Sequence, residues 1–489
     1  MSSKSLFDED LYLKPVLEDD ALLFCLDDIL ESVTHDHDLE NGLGSEPSKA
    51  DEHDAFQRIT DLEAQLQQLQ SQFANYRLAV GKILDERWDD REGNNAASTT
   101  SEQQTHRDDD SHYFDSYAYN GMTLLAYLCL RYAEADAQGY ADIHETMLRD
   151  TVRTSTYRDF IYTHKRLFAA HTVLDIGCGT GILSLFAAKA GAKKVLAVDN
   201  SSIILKAREI VSKNGLEKTV QCIRGKIEEV NLGLGRGSGG EGDGDERKVD
   251  VIVSEWMGYC LLYEAMLDSV IWARDRYLNK QTGMMVPSHC TLRLAPVADP
   301  EFIADTVGFW DEVYGFDMAA MTEKIYDDVM IRHVDLEKLA GQSVGFKQLP
   351  LTTVKKDDLT FVSGFEVVLG KDIDALDGWV VWFDTFFLTD RDAVVPTEAR
   401  AEMWGNGDGV KEKGVAFTTG PGGQETHWKM GFLVIDRSRR AGVSLKKRQK
   451  IKGTIGYKKR EVNSRELEIE MDWQAEGTDE NGRQMWFMR

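Results

Sequence analysis

Long apolar runs, paired cysteines and a basic charge balance are all missing from this sequence. It contains no stretch of about 18 apolar residues, so we expect no transmembrane helix. Its first residues have no apolar core behind a basic start, so we expect no signal peptide. The six cysteines are scattered without a C-x-x-C pair. This scatter predicts free thiols, a reducing compartment such as the cytoplasm, and no metal site.

The charge balance is strongly acidic, with a formal net charge of −26. Such a charge repels phosphates and argues against nucleic acid as the main ligand. It favours a basic partner, whose approach the field would accelerate. Acidity also keeps a protein soluble, and charge alone does not separate these two interpretations. No membrane partner is expected.

The N-terminal part of the chain has few of the sequence patterns that predict a packed domain. Residues 1–55 are acidic with apolar islands, and residues 93–112 are polar and typical of a linker. Residues 56–92 predict one amphipathic helix, because apolar residues recur in steps of three and four. Its apolar seam can pair with another helix or pack on the rest of the same chain.

The remainder predicts an α/β domain followed by a β domain. Within residues 113–287, buried-strand runs alternate with helix patterns, which predicts βαβ units and a parallel, Rossmann-like sheet; the runs are HTVLDIG, KKVLAVD, TVQCIRG and KVDVIVSE. Short strand-like segments dominate residues 288–489 and predict a mostly antiparallel, barrel-like domain. These segments are HCTLRLAPV, LTFVSGFEVVL, GWVVWFDTFFL, GVAFTTG, KIKGTIGYK and RELEIEMDW. A helical stretch, Glu301–Val329, interrupts it.

The most specific motif is the run VLDIGCGTG at residues 173–181. Its glycines allow a sharp turn and a close approach of backbone to a ligand. The spacing D-x-G-x-G-x-G, with Ile182 where a dinucleotide motif has its third glycine, is similar to the nucleoside-binding loop of class I methyltransferases. Asp199 ends the next strand, where a carboxylate can accept ribose hydroxyls. The loop alone leaves a nicotinamide-type interpretation open.

Two carboxylates form the second motif. Glu255 follows a predicted strand, and Glu264 returns nine residues later after an apolar turn. A glycosidase pair, a metal site with further ligands, or two surface glutamates are alternatives. A guanidinium fits the pair best, because it is planar, always cationic and takes bidentate bonds from carboxylates.

Seven separated motifs in order resemble the protein arginine methyltransferases over about residues 113–489. In this sequence they are Tyr113-Phe114-x-x-Tyr117, Ile143–Leu148, Val152–Thr154, the loop 173–181, Ser254–Glu264, Trp310–Asp317 and Thr426-His427-Trp428. Within the family, stretches near Thr156–Tyr162, Lys189 and Gly225 look most like the protein arginine methyltransferase 3 branch.

The resemblance implies a role for each site residue. Residues that would bind S-adenosylmethionine are His144, Met147, Arg153, Asp175, Gly177, Gly179, Asp199, Ile227, Glu228 and Tyr117. Residues that would wall the acceptor arginine are Tyr113, Tyr117, Met147, Met266 and Trp428. Glu255 and Glu264 would grip its guanidinium, while Asp150 and His427 would form a pair near the reacting nitrogen.

The resemblance also implies the reaction and the partners. Thr426-His427-Trp428 is the sequence of type I enzymes, which produce mono- and asymmetric dimethylarginine. An arm at about residues 301–332 would dock on a second copy, giving a homodimer. The substrates would be basic, Arg/Gly-containing proteins, among them a small-subunit ribosomal protein. A nicotinamide-dependent oxidoreductase and a non-catalytic scaffold remain the alternatives.

Three features depart from the family or stay open. The zinc finger of the type 3 enzymes needs four spaced ligands, and Cys25 with His35 and His37 does not supply them; the finger is expected to be absent, and the start of this sequence to be misplaced. Gly121–Ala141 interrupts the lid expected over the donor, as a retained intron or a lineage insertion. The basic run Leu445–Lys450 is either a nuclear signal or a solvated strand edge.

Overall fold

A computed structural model describes residues 143–234, 248–404, 414–438 and 442–489. The predictions for the acidic segment, the 56–92 helix, the linker, Tyr113, Tyr117 and the 121–141 insert therefore lie outside the described residues. In the ranges that are described, no helix is both long and apolar enough to cross a bilayer. The four cysteines found there, Cys178, Cys222, Cys260 and Cys290, are all free thiols.

The first domain is built on a five-stranded sheet that is parallel throughout. Its strands are β1 Thr172–Ile176, β2 Lys194–Asp199, β3 Val220–Arg224, β4 Val251–Val253 and β5 Met284–Val286, in the order β3-β2-β1-β4-β5. The residues of β1, β2, β4 and β5 are mostly buried, as expected for a sheet with covered faces, whereas in the edge strand β3 only Val220 is buried. The order reverses direction beside β1, so its carboxyl end faces a crevice suited to a ligand.

Within the part of the chain that the structure describes, five helices accompany this sheet. They are α1 Ile143–Arg149, α2 Thr151–Thr163, α3 Ile182–Lys189, α4 Ile203–Lys213 and α5 Leu267–Tyr277. Asp150 separates α1 from α2 and caps α2, because its Oδ1 accepts the backbone N–H of Arg153 at 2.9 Å. The first turn of α2 lies at the carboxyl end of the sheet, because Arg153 pairs there with Glu255, which follows β4.

In its described residues, the second domain contains ten strands in two antiparallel sheets. The strands are β6 His289–Val297, β7 Met330–Arg332, β8 Val344–Pro350, β9 Phe361–Val368, β10 Gly378–Leu388, β11 Gly414–Thr418, β12 Met430–Val434, β13 Lys450–Lys459, β14 Leu467–Ala475 and β15 Asn481–Met488. One sheet has the order β7-β12-β10-β6-β8 with β11 on β10, and the other has the order β15-β14-β13-β9. The ring of Trp379 on β10 contacts Phe365 on β9 and Trp473 on β14, so one apolar core joins both sheets.

The helical stretch predicted at Glu301–Val329 is broken into short pieces. α6 covers Pro300–Thr306, two 3-10 turns cover Gly308–Asp311 and Ala319–Thr322, and α7 covers Glu323–Asp327. Phe309, Tyr314 and Phe316 project into solvent from the segment between the two helices. We call residues 300–329 the arm.

The basic run at residues 445–450 is a connection rather than a strand edge. Lys446 forms an ion pair with Asp372 at 3.2 Å, and the backbone N–H of Lys447 donates to the same carboxylate. Leu445 is buried, and Lys450 opens β13, which has a partner strand on each side. The solvated strand-edge interpretation was therefore wrong in its geometry.

Candidate active site

A cavity of about 430 Å³ opens at the carboxyl end of the parallel sheet. It is walled by α1, the loop after β1, the ends of β2 and β4, and residues of the second domain. Predicted site residues among its lining are His144, Met147, Arg153, Gly177, Gly179, Asp199, Ile227, Glu228, Glu255, Glu264, Met266, His427 and Trp428. Residues spread over nearly 300 positions of sequence thus meet in one cleft.

The glycine loop has the backbone that its sequence predicts. Gly177, Gly179 and Gly181 have φ values of 67°, 53° and 84°, the left-handed region that favours glycine. A Cβ on Gly177 would lie 2.1 Å from Cε of Met266, so the missing side chain makes room for that methionine. On Gly179 it would lie 3.6 Å from Nδ1 of His144.

Asp199 supports this loop from the end of β2. Its Oδ2 accepts the N–H of Gly179 at 2.8 Å, and its Oδ1 accepts from both the N–H and the hydroxyl of Ser201. Oδ1 has thereby used both of its lone pairs, whereas Oδ2 has one left. Asp199 can therefore hold the loop and accept from a ligand in the cavity.

Asp175 lies beneath the loop and not on the cavity wall. It is only 1% exposed, and its Oδ2 accepts the hydroxyl of Ser184 at 2.6 Å. Burial raises the pKa of Asp175 to about 7. The hydrogen bond from Ser184 lowers this pKa in part, while the nearby charge of Asp199 raises it further. The expectation that Asp175 lines the donor's amino-acid end does not match this position.

Arg153 and Glu255 form a buried ion pair in the cavity wall. Nε and Nη2 of Arg153 approach Oε2 of Glu255 at 2.9 and 2.8 Å, and both side chains are 8% exposed. Nη1 of Arg153 donates to the carbonyl of Met147. Both contacts to the glutamate end on Oε2, so its other oxygen is not committed to Arg153.

The loop that carries Glu264 is strained. Cys260, Leu261, Glu264 and Ala265 all have positive φ, at 48°, 73°, 75° and 54°. Each such residue costs about 1–2 kcal/mol in an L-amino acid, and strain of this kind concentrates at functional sites. A Cβ on Gly258 would lie 2.1 Å from the carbonyl oxygen of Tyr263, so the tight loop also depends on that glycine.

Asp150 and His427 form the predicted pair across the two domains. Oδ2 of Asp150 accepts from Nδ1 of His427 at 2.7 Å and from its backbone N–H at 2.9 Å. Burial alone would raise the pKa of Asp150, but the hydrogen bonds from His427 and Arg153 outweigh burial and lower it. An ionised Asp150 can only accept, so Nδ1 of His427 carries a proton and Nε2 is the basic nitrogen of the neutral ring.

Trp428 is a structural wall of the cavity. It is buried, its Nε1 donates to the carbonyl of Met257 at 2.6 Å, and its ring stacks on Phe417 at a centroid distance of 5.8 Å. The tryptophan thereby ties the loop after β4 to β11 of the second domain.

Several lining residues were not predicted from the sequence. Arg465, on the turn between β13 and β14, is the most consequential of them, and Lys226, Tyr259 and Ser269 also line the cavity. Arg465 lies 201 positions from Glu264 in sequence, and no motif near it indicates a site. Only the packing of the second domain against the first brings them together.

A parallel sheet with a glycine loop at its switch point, followed by two antiparallel sheets, defines a Rossmann-like, class I methyltransferase domain joined to a β-barrel-like domain. Comparison with known proteins supports this description of the two domains. Residues 288–478 match the family model of the arginine methyltransferase oligomerization subdomain. Residues 162–262 match the model of ribosomal protein L11 methyltransferase.

Relatives extend this likeness over nearly the whole chain. The ribosomal protein arginine N-methyltransferase rmt3 of Schizosaccharomyces pombe is 38% identical over 96% of this chain and 75% of its own. Protein arginine N-methyltransferase 1 of the same yeast is 39% identical over 69% of this chain and 88% of its own. The chain belongs to the protein arginine methyltransferase family, and the predicted α/β-plus-barrel fold is confirmed.

Solved structures show the same architecture. The enzyme–prozyme heterotetrameric complex of Trypanosoma brucei PRMT1 with AdoHcy has a TM-score of 0.61 at 30% identity, covering 72% of this chain and 99% of that one. Arabidopsis thaliana protein arginine methyltransferase 10, described in a uniquely open conformation, has a TM-score of 0.57 at 29% identity over 72% and 98%.

Proposed function

We propose that this protein is a type I protein arginine methyltransferase, which uses S-adenosylmethionine to make mono- and asymmetric dimethylarginine in basic proteins. The observation that carries the proposal is the cavity in which the glycine loop and Asp199 lie beside Glu255 and Glu264. A nicotinamide-dependent oxidoreductase is disfavoured, because Ile182 replaces the third Rossmann glycine and the acceptor side is acidic.

The residues present fit the donor. Arg153 is a buried cation that can pair with its carboxylate, and Asp199 can accept from its ribose hydroxyls. Ile227 and Glu228 would flank its adenine. Met266 and His144 lie against the glycine loop, and Met147 lines the same cavity. When bound, S-adenosylmethionine supplies an electrophilic methyl group on a sulfonium.

Glu255 and Glu264 act on the acceptor. A guanidinium has a pKa above about 12 and delocalised lone pairs, so it is a poor nucleophile. Two carboxylates draw positive charge onto the nitrogens that they contact and leave the remaining nitrogen more nucleophilic. The same pair fixes the acceptor's orientation, and alignment of reactants is worth about 7–11 kcal/mol.

Arg153 couples the two halves of the site. In the structure it neutralises Glu255 through Oε2. A second carboxylate on Arg153 would share its charge and leave Glu255 more negative, and therefore a better partner for a cation. We infer that donor binding prepares the clamp for the acceptor arginine.

His427 is the proton acceptor that the geometry favours. Asp150 holds Nδ1 at 2.7 Å and directs the basic Nε2 away from itself. Glu264 is the second candidate for the same proton.

We infer the partners and the compartment of the protein from its family and its net charge. The net charge of −26 suits basic, Arg/Gly-containing substrates, and the relative rmt3 suggests a ribosomal protein among them. The arm with its exposed aromatic side chains provides the surface for a homodimer, and the free thiols fit the cytoplasm.

The test is transfer from labelled S-adenosylmethionine to an Arg/Gly-rich peptide and to the same peptide with every arginine replaced by lysine. We expect label only on the arginine peptide, with mono- and asymmetric dimethylarginine after hydrolysis. Symmetric dimethylarginine would contradict the type I assignment. Donor binding without transfer to any arginine substrate would favour the non-catalytic scaffold.

A further inference from the structure

The backbone at Glu264 needs support from outside its own loop. Glu264 and Ala265 adopt the left-handed conformation in succession, with φ of 75° and 54°. Neither is glycine, so two adjacent residues are held where L-amino acids are disfavoured. Such geometry persists only where the surrounding structure fixes it.

The turn between β13 and β14 provides that support. The N–H of Glu264 donates to the carbonyl of Arg465 at 2.8 Å. Nη1 of Arg465 donates to the carbonyl of Glu264 at 2.6 Å. One residue of the barrel domain therefore binds both backbone polar groups of Glu264, and it also lines the cavity.

Hydrogen bonds within this turn hold Arg465 in place. Oδ1 of Asn463 accepts the N–H of Arg465 at 3.1 Å, and Nδ2 of Asn463 donates to Glu466 at 3.1 Å. Glu466 also accepts from the guanidinium of Arg460. This network sets the shape of the turn before any ligand enters.

We propose that Arg465 is a positioning residue for the acceptor arginine: it holds the strained peptide of Glu264 so that the carboxylate is preorganised for a guanidinium. The inference rests on the proposed function, because Glu264 is the clamp residue there. It assigns to the barrel domain a share in acceptor recognition through the backbone of the first domain. Preorganised groups act without reorganising at the moment of reaction, so loosening Glu264 should slow transfer.

The experiment compares Arg465→Ala and Arg465→Lys with Arg483→Ala. Arg483 is a solvent-exposed arginine of β15 whose ion pair with Glu470 lies on the surface, so its replacement removes the same charge from the same domain. We measure kcat and KM for an Arg/Gly-rich peptide, the Kd for S-adenosylhomocysteine, and the temperature of unfolding.

For Arg465→Ala we expect kcat/KM for the peptide to fall roughly tenfold or more, since a hydrogen bond from a charged group typically sustains at least that factor. Its Kd for S-adenosylhomocysteine and its unfolding temperature should match those of Arg483→Ala. Arg465→Lys keeps a cationic donor and should recover part of the loss.

Three results would overturn the inference. The first is peptide kinetics in Arg465→Ala equal to those of Arg483→Ala. The second is a rise in kcat/KM, which would mean that Arg465 repels the cationic acceptor. The third is a fall in ligand affinity and unfolding temperature together, which would mean a general structural role. Absence of transfer by the unaltered enzyme is a different outcome and would refute the proposed function itself.

Discussion

At the scale of single residues, the site is organised around shared charges. Arg153 forms an ion pair with Glu255, while Asp150 accepts a hydrogen bond from His427 and also caps α2. When one charged side chain interacts with two partners, a change in its interaction with one partner alters its interaction with the other. The buried ion pair of Arg153 and Glu255 is therefore better understood as a coupling element than as a source of stability.

Asp175 gives a pH-dependent prediction. Its pKa is raised to about 7 in the folded protein, against about 3.9 in an unfolded chain. Between these values the folded state binds a proton that the unfolded state has released, so wild-type stability falls as pH rises through this window. Asp175→Asn has no such proton to lose. Its free energy of unfolding relative to that of wild type should therefore rise by more than about 1 kcal/mol from pH 5 to pH 8.

Urea unfolding of both proteins at the two pH values measures this difference. Ser184→Ala serves as a control, because it removes the hydroxyl that donates to Asp175 while leaving the carboxyl group in place. An Asn variant whose stability difference from wild type is the same at pH 5 and pH 8 would contradict a raised pKa.

The residue scale also shows how far sequence reasoning reaches. Asp199 and the three glycines could be placed because a short motif fixes both their spacing and the strand end on which they lie. Asp175 belongs to the same motif but points beneath the loop, and spacing alone does not tell which side of a turn a carboxylate faces. Its neighbour Ser184, nine residues on, decides that position.

At the scale of elements, the glycine loop and the start of α5 fit each other closely. Met266, the residue before α5, occupies the space left by the missing side chain of Gly177. We predict that Gly177→Ala weakens donor binding at least tenfold, because Met266 must move when a methyl group enters 2.1 Å from its Cε.

Gly215→Ala is the matched control for this prediction. Gly215 has φ of 66°, almost equal to the 67° of Gly177, but nothing lies within 4 Å of its Cβ position. Both variants should lose about 1–2 kcal/mol of stability from the left-handed backbone. Calorimetric titration with S-adenosylhomocysteine separates them, and equal affinities in the two variants would refute the account of Met266.

The helices and strands of the first domain were more predictable than those of the second. Four of its five strands were indicated by buried runs between helical patterns, and only β5, three residues long, was not. In the second domain β7, β8, β12 and β15 were not indicated. The apolar residues of β15 are consecutive, Met485–Met488, and β7 has only three residues, so neither has the alternating period-two pattern that predicts a strand.

At the scale of the whole molecule, the cavity belongs to neither domain alone. Asp150 and His427 are separated by 277 positions, and Glu264 and Arg465 by 201. Contacts of such sequence separation are fixed by how two cores pack, which no local pattern encodes. The family resemblance could imply the Asp150–His427 pair, whereas Arg465 carries no motif and emerged only from the structure.

The arm gives a prediction for assembly. Tyr314 and Phe316 are 97% and 70% exposed, and large exposed aromatic side chains close together mark an interaction surface. The double variant Tyr314→Ser/Phe316→Ser should shift the protein from two copies to one in light scattering. Val362→Ser/Val394→Ser, which replaces two other well-exposed apolar residues of the barrel domain, should leave the mass unchanged. A dimeric arm variant would exclude these two residues as the contact.

The central claim is that Glu255 acts on the acceptor arginine while the donor is held by other residues. The most direct test measures methyl transfer and S-adenosylhomocysteine affinity side by side in wild type, in Glu255→Gln, and in Glu470→Gln as a surface control. Glu255→Gln should lose about 100-fold or more in kcat/KM, the loss typical of removing one group that stabilises the transition state. It should bind the donor at least as tightly as wild type, because Arg153 no longer shares its charge with Glu255. Transfer by Glu255→Gln at the rate of the control, or loss of donor binding in step with transfer, would contradict the claim.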